Sequence, residues 1–154
     1  MKLAQTDIDE FFKLHKALLF YVNKKKNVIK GIVSPVELKG PVLESVAKLR
    51  DYISKEPALI ECFVKENPLA LNREELKTID SWRKGISGEF FIVKYDKDIT
   101  IFYHPKTKKC YGVLSLNDQL TDMFGNHIPI MVQAWIIPFK GRIIYDGVIM
   151  PYRI

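Results

Sequence analysis

The spacing of hydrophobic residues along the chain changes at Trp82-Arg-Lys-Gly-Ile-Ser-Gly88. Before this segment, apolar residues recur every three or four positions, which is the spacing of helices that bury one face. After it, β-branched and aromatic residues come in short runs separated by turn residues, which is typical of strands. The pattern predicts one domain, 1–154, with a helical half over 1–84 and a strand half over 88–154.

Local signals mark helix boundaries in the first half. Apolar spacing predicts helices over 6–24 and 41–54, and a short helix that opens at Glu56-Pro57. Ser34-Pro-Val-Glu37 is a further start signal, with serine at the N-cap and proline at the first helical position. Asn72-Arg-Glu-Glu75 predicts another start, because an N-cap Asn and a Glu three residues later form a capping box. Gly85 is expected to end that helix as its C-cap.

The second half predicts a small sheet. The runs separated by turn residues predict strands over 89–95, 99–103, 110–116, 129–137 and 142–150. The polar stretch Asn117–Asn126 carries Leu120, Met123 and Phe124, which fit one helical turn. We expect an α+β fold: N-terminal helices packed on a C-terminal, five-stranded, mostly antiparallel sheet or an SH3-like half-barrel.

Composition and charge narrow the class of protein. Residues 1–84 carry 16 Lys and Arg against 12 Asp and Glu, and residues 85–154 carry 8 against 6, so the net charge of +6 is spread along the chain. Such an excess is compatible with nucleic acid or acidic partners. No apolar run reaches the roughly 18 residues of a membrane span, and the N-terminus has no long apolar stretch like that of a secretory signal. We therefore expect a cytoplasmic protein that does not bind membranes.

Residues that support catalysis or metal binding form no recognisable motif. There is no G-x-S-x-G, P-loop, dinucleotide fingerprint or H-E-x-x-H, so we name no catalytic residue, cofactor or metal and favour a non-enzyme. A catalytic group assembled only in the fold stays open, because triads can be invisible in sequence. Cys62 and Cys110 are expected to be buried free thiols, and His15 a core residue. His104 and His127 are expected at surface turns.

The segment Phe139-Lys-Gly-Arg-Ile-Ile-Tyr-Asp-Gly147 is a candidate binding region. Backbone structure alone explains this segment as a turn at Lys140-Gly141, a short strand, and a turn or bulge at Asp146-Gly147, without any ligand. The alternative is a groove beside the last strand, with Arg142 and Asp146 as polar contacts. The candidate partner-binding residues are Phe139, Lys140, Arg142, Tyr145 and Asp146.

Two groups of lysines are candidates for contacting phosphates. The groups are Lys24, Lys25 and Lys26, and Lys106, Lys108 and Lys109. A helix C-terminus and a solvated hairpin turn explain them without a ligand. Alternatively, they bind nucleic acid, because Tyr21, Tyr103 and Tyr111 lie nearby in sequence and exposed rings beside cations stack on unpaired bases. That hypothesis requires both groups on one side of the fold.

The segment 135–147, with Ser81-Trp82 and Gly88-Glu-Phe-Phe-Ile-Val93 before it, resembles a family of uncharacterised bacterial and archaeal proteins. The resemblance covers residues 55–150. Some members of that family carry a short cysteine-rich, zinc-binding SEC-C tail. The resemblance implies a related fold and no particular reaction. This sequence departs from those members, because residues 150–154 read Met-Pro-Tyr-Arg-Ile with no cysteine-rich tail, so the zinc role of that tail is not carried over to it.

Two hypotheses about function follow from the sequence. The first is a small binding or adaptor module that acts through protein contacts, because a sheet edge can accept a strand from a partner. The alternative is a nucleic-acid-binding protein that uses the two groups of lysines and the tyrosines beside them.

Overall fold

A computed structural model of the chain describes residues 3–31, 43–116 and 119–152. The chain divides into two compact units, Asp9–Lys84 and Met1–Ile8 with Gly85–Ile154. We call the first the helical unit and the second the barrel unit. The division between Lys84 and Gly85 lies within the segment where the hydrophobic spacing changes.

The helices before residue 85 follow the predicted apolar stripes. They are α1 Gln5–Lys26, α2 Leu43–Lys55, α3 Ala58–Glu66 and α4 Arg73–Ser81, followed by a 3-10 turn over Trp82–Lys84. The ring of Phe11 stacks on His15 with centroids 5.1 Å apart and lies 5.5 Å from Trp82. Tyr21 packs edge-on against Phe63 in the same unit. The start signal at Ser34–Glu37 lies outside the described residues.

The predicted capping box at the start of α4 is confirmed. The Asn72 side chain accepts the backbone N–H of Glu75 at 2.9 Å, and the Glu75 carboxylate accepts the backbone N–H of Asn72 at 3.0 Å. The predicted C-cap at Gly85 is wrong, because α4 ends at Ser81 and the 3-10 turn follows. Gly85 instead lies so close to the side chains of Trp135 and Ile137 that a Cβ atom would collide with both.

The barrel unit contains the strands and a short helix. The strands are β1 Ile86–Asp96, β2 Ile99–His104, β3 Lys109–Leu114, β4 Ile130–Phe139, β5 Arg142–Tyr145 and β6 Met150–Pro151, and α5 Leu120–Phe124 lies between β3 and β4. The helical turn expected in the polar stretch is therefore present, while Asn117 and Asp118 lie outside the described residues.

Five of these strands close into a barrel, and the predicted α+β fold class is confirmed. The order of hydrogen-bonded neighbours is β1-β2-β3-β5-β4, and β4 returns to pair with β1. The β3–β5 pair is parallel, and the other pairs around the barrel are antiparallel. Strand β6 adds two residues at β4. Because consecutive strands β3 and β4 are not neighbours, the chain follows a Greek-key path.

Alternation along β1 to β3 separates a buried face from an outer face. Phe90, Ile92, Phe102 and Val113 are fully buried in the barrel core. The pairing of β1 with β2 shifts register between Ile92 and Lys94, which marks a β-bulge. A bulge bends a strand and increases its twist, which lets β1 pair with β4 in its first part and β2 in its second.

The last predicted strand, 142–150, is wrong as a single element, because it divides into β5 and β6. The break falls at Asp146-Gly147. The Asp146 Oδ1 atom accepts the backbone N–H of Val148 at 3.1 Å, and Gly147 has a positive φ of 88°. An Asp side chain that bonds to the backbone two residues on forms an Asx turn, which ends a strand.

Candidate functional site

The outer face of β1, β2 and β3 brings aromatic, apolar and cationic side chains together, and we call it the β1–β3 face. Phe91 pairs with Tyr103 across β1 and β2, and Tyr103 pairs with Cys110 across β2 and β3. Lys94 and Ile101 pair in the next row. Opposite residues in a sheet project to the same side, and the strand neighbours of Phe91, Ile101 and Tyr103 are buried. The β1–β3 face is thus defined by Phe91, Lys94, Ile101, Tyr103 and Cys110.

Two rings on this face are partly exposed and occupy directly opposite positions of β1 and β2. Phe91 and Tyr103 are of intermediate exposure, whereas Lys94 and Cys110 are exposed. Directly opposite residues in an antiparallel pair have Cβ atoms about 5 Å apart. The two rings therefore form an apolar strip with a cation beside it.

The turn between β2 and β3 adds three lysines at the end of this strip. Lys106, Lys108 and Lys109 are all exposed. Lys108 has a positive φ of 58°, and its backbone N–H donates to the carbonyl of His104 at 2.8 Å, so the turn is tightly closed. The turn therefore presents three positive charges at the end of the hairpin that follows Tyr103 and precedes Cys110.

The expectation of a surface position for His104 is wrong, since its residue is only 6% exposed. Its Nδ1 atom lies 2.8 Å from the hydroxyl of Thr107, and its ring packs on Phe90 at a centroid distance of 4.9 Å. His104 therefore supports the lysine turn from inside. His127 is exposed, as expected.

A cleft of about 360 Å³ opens where β3 lies beside β5. The lining includes two glycines, Gly112 and Gly141, which have no side chains to fill the cleft. Ile99 and Ile143 make the lining apolar, and Arg142 supplies a cation. Gly112 lies opposite Ile101 in the register of β2 and β3, so the cleft adjoins the β1–β3 face. Arg142 is the member of the predicted partner-binding set that lines this cleft.

The other members of that set are placed differently. Phe139, Tyr145 and Asp146 are buried, with exposed fractions of 1%, 3% and 1%. Lys140 is exposed, lies over the ring of Phe139 and forms an ion pair with Asp7 at 2.9 Å. A molecule that approaches this segment would meet Lys140 and Arg142, while the three buried side chains hold the strand in place.

The lysines at the end of α1 belong to the helical unit. Lys24, Lys25 and Lys26 lie over the rings of Phe20, Tyr21 and Tyr52, at 4.9, 5.0 and 5.1 Å from the ring centroids. Tyr21 also donates to the Glu66 carboxylate. The rings of Phe20 and Tyr21 are buried, with exposed fractions of 6% and 8%, so of these three rings only that of Tyr52 is exposed enough to stack on a base, as the nucleic-acid hypothesis requires.

The six candidate lysines form two sets, one in each unit. The structure places Lys106, Lys108 and Lys109 at the end of the hairpin that follows Tyr103, and brings Lys26 together with Tyr52. Tyr111, named with the hairpin lysines, instead packs against the barrel core. Phe91 and Lys94 were missed, although strict alternation from an inward Phe90 places Phe91 outward; Lys94 follows the bulge, which sequence spacing does not reveal.

The expected burial of the two thiols is wrong. Cys62 and Cys110 are both free and exposed. Cys110 faces outward because its partner Tyr103 does, and Cys62 lies on α3 away from the buried Leu59, Ile60 and Phe63. Among the described residues no group of three or more His, Cys, Asp or Glu side chains is arranged to hold a metal ion.

No family model, no curated protein and no solved structure matches this chain. The resemblance to the family with SEC-C members therefore stays a prediction. Among the described residues, no helix combines the length and the apolar character needed to cross a membrane.

Proposed function

We propose that this protein binds single-stranded nucleic acid on the β1–β3 face. The observation that carries the proposal is the strip formed by Phe91 and Tyr103, which leads to the three exposed lysines of the β2–β3 turn. Proteins that bind single strands combine cations that follow the phosphates with aromatic rings on which unpaired bases stack. Both components occur here on adjoining parts of one surface.

The cleft beside Gly112 supports a path for the strand. A base on Tyr103 is followed along β2 by Ile101 and then by the cleft, where Arg142 offers a cation. The apolar walls suit a base, and the guanidinium group suits a phosphate or the plane of a second base. The lysines, the two rings and Arg142 would then contact a few consecutive nucleotides.

The strand order gives independent support by analogy. A five-stranded Greek-key barrel with a parallel β3–β5 pair and a helix between β3 and β4 has the topology of an OB fold. Barrels of that kind bind oligonucleotides and oligosaccharides on the face of strands β2 and β3. A fold by itself does not establish a function, so the residues of the face carry the argument.

The protein-contact hypothesis depends on a sheet edge that can accept a partner strand. Pairing of β1 with β4 closes the barrel and removes most edges, but β3 pairs with β5 only at Leu114, so residues 109–113 of β3 are paired with β2 alone among the described strands. Among the described strands, β6 is a two-residue strand at the margin of the sheet. Because the remaining edges, the first part of β3 and β6, are short, the residues of the β1–β3 face support nucleic acid better than addition of a partner strand.

The test is a fluorescence-anisotropy titration with labelled single-stranded DNA and RNA of 12 nucleotides, and with the corresponding duplexes. We expect saturable binding of the single strands that weakens steeply between about 50 and 200 mM salt. Replacement of Tyr103 by alanine should weaken binding about tenfold, since stacking on one ring contributes roughly 1–3 kcal/mol. Tyr103→Phe retains the ring and should bind like the wild type.

The charge contribution needs a matched control. The variant K106Q/K108Q/K109Q removes three exposed lysines from the turn, and K65Q/K77Q/K84Q removes three exposed lysines from the helical unit. Both variants lower the net charge by three, so a difference between their affinities for the oligonucleotide reports the position of the lysines and not the total charge. Equal affinities for the two triple variants, or no binding by the wild type at low salt, would refute the proposal.

A further inference from the structure

A second cleft lies wholly within the helical unit, between the end of α1 and one face of α2. It has a volume of about 490 Å³. Lys48, Tyr52 and Lys55 line it from α2, at positions i, i+4 and i+7, which share one helix face. Lys26 and Asn27 line it from the end of α1. We call it the α2 cleft.

The lining of the α2 cleft is cationic. Lys26, Lys48 and Lys55 contribute three positive charges, and Asp51 contributes one negative charge. The Asp51 carboxylate is itself 3.5 Å from the guanidinium of Arg50, which offsets part of its charge. Lys48 and Lys55 are exposed at the rim. The cleft therefore favours an anion.

Tyr52 adds a flat aromatic wall beside these cations. Its residue is 38% exposed, and the Lys26 ammonium lies 5.1 Å from the centre of its ring. Lys26 is also 3.2 Å from the exposed Glu56 carboxylate, and exposed pairs of this kind contribute little to stability. Lys26 can therefore leave the ring and turn toward a phosphate while a planar group stacks on Tyr52.

The chain that follows α1 forms one wall of the α2 cleft, and the side chain of Asn23 holds it in place. The side chain of Asn23, only 5% exposed, donates to the carbonyl of Ile29 at 2.8 Å and accepts the backbone N–H of Ile29 at 2.7 Å. These two bonds fix the turn that contains Asn27 and Val28. The cleft is thus built before any ligand arrives, as small-molecule sites generally are.

We propose that the α2 cleft binds a free nucleoside phosphate, with the base stacked on Tyr52 and the phosphate held by Lys48, Lys55 and Lys26. The combination of a planar wall and an excess of cations selects this class, since inorganic phosphate does not use the ring and an uncharged nucleoside does not use the lysines. The volume lies within the range of about 300–1,000 Å³ found for small-molecule sites. This site belongs to the helical unit, whereas the proposed nucleic-acid surface belongs to the barrel unit, and the proposal does not depend on that surface.

Isothermal titration calorimetry of the full chain with adenosine monophosphate, adenosine and inorganic phosphate tests the proposal. We expect saturable binding of the monophosphate, and at least tenfold weaker binding of the other two probes. Tyr52→Ala should weaken binding of the monophosphate about tenfold, the effect of losing one stacking ring, and Tyr52→Phe should retain it. K48Q/K55Q should weaken it by a similar factor, while K65Q/K77Q, with the same change of charge on other helices, should not.

Two results would overturn the proposal, provided circular dichroism shows that the variants are folded. One is equal affinity for the monophosphate and adenosine, or absence of binding by either. The other is loss of monophosphate binding in Tyr103→Ala together with retention in Tyr52→Ala, which would assign the nucleotide to the β1–β3 face. If only the oligonucleotides fail to bind, the proposal for the β1–β3 face is refuted and the proposal for the α2 cleft still stands.

Discussion

At the scale of single residues, the buried His15 makes the free energy of unfolding depend on pH. The side chain is 3% exposed, and burial, followed by the charges of Arg50 and Lys16, lowers its pKa from 6.5 to about 3. The folded state therefore holds a neutral imidazole, whereas the unfolded chain binds a proton below pH 6.5. The stability that depends on the neutral form is fully present above pH 6.5 and is lost as the pH falls from 6.5 toward 3. Each pH unit in that window lowers the free energy of unfolding by about 1.4 kcal/mol.

Urea denaturation at pH 7, 6 and 5 measures this dependence, and His15→Phe is the control variant. No described residue hydrogen-bonds the Nε2 atom of His15, so phenylalanine keeps the stack on Phe11 and loses no bond seen in the structure. We expect the wild type to lose about 2 kcal/mol between pH 7 and pH 5, and the variant to lose clearly less. Parallel curves for the two proteins would show that other groups set the acid sensitivity.

The histidines also show what sequence can predict at this scale. His15 was predicted as a core residue because it lies on an apolar helical stripe, and local spacing is enough to decide that. His104 precedes a proline at a strand end, which suggested a surface turn, but its ring packs on Phe90 from the neighbouring strand β1. Contacts between strands depend on pairing, which residue order within one strand does not reveal.

At the scale of elements, α4 depends on its N-terminal cap. The reciprocal bonds between Asn72 and Glu75 satisfy two backbone N–H groups that the helix itself leaves without partners. Asn72→Ala removes the side-chain acceptor and should lower the free energy of unfolding by about 1 kcal/mol. Asn72→Ser keeps an oxygen acceptor and should cost only a few tenths. Urea denaturation of the three proteins at pH 7 compares these values; an alanine variant as stable as the wild type would mean that the cap contributes nothing.

Elements were predicted correctly where the residues that determine them are close in sequence, and wrongly where those residues are distant in sequence. The capping box, the hairpins and the helical turn at Leu120–Phe124 follow from residues close in sequence. The closure of the barrel by β1 and β4 joins residues about forty positions apart, such as Ile92 and Ile130, and hydrophobic spacing contains no information about such pairs. The division of the last strand depends on one Asx turn at Asp146, which alternation alone did not indicate.

At the scale of the whole molecule, lysines contribute to two candidate surfaces, one in each unit, and the two surfaces differ in kind. The β2–β3 turn presents its lysines beside an open strip, which suits a strand that continues past the contact. The lysines of the α2 cleft surround a bounded volume with one aromatic wall, which suits a small ligand. Of these residues, the sequence analysis named the runs of lysines. It missed Lys48, Tyr52 and Lys55, because the cleft that they line forms only where α2 meets the end of α1, which is distant in sequence.

If the two surfaces act separately, the salt dependence of oligonucleotide binding will separate them. Each phosphate neutralised on a single strand changes the slope of log K against log salt by about 0.7. Loss of the three turn lysines in K106Q/K108Q/K109Q should therefore make the slope shallower by about 2. K48Q/K55Q should leave the slope for a 12-nucleotide strand unchanged while it weakens binding of adenosine monophosphate. A shallower slope in both variants would mean that one strand contacts both surfaces, and the cleft would then be part of the nucleic-acid site rather than a site for a free nucleotide.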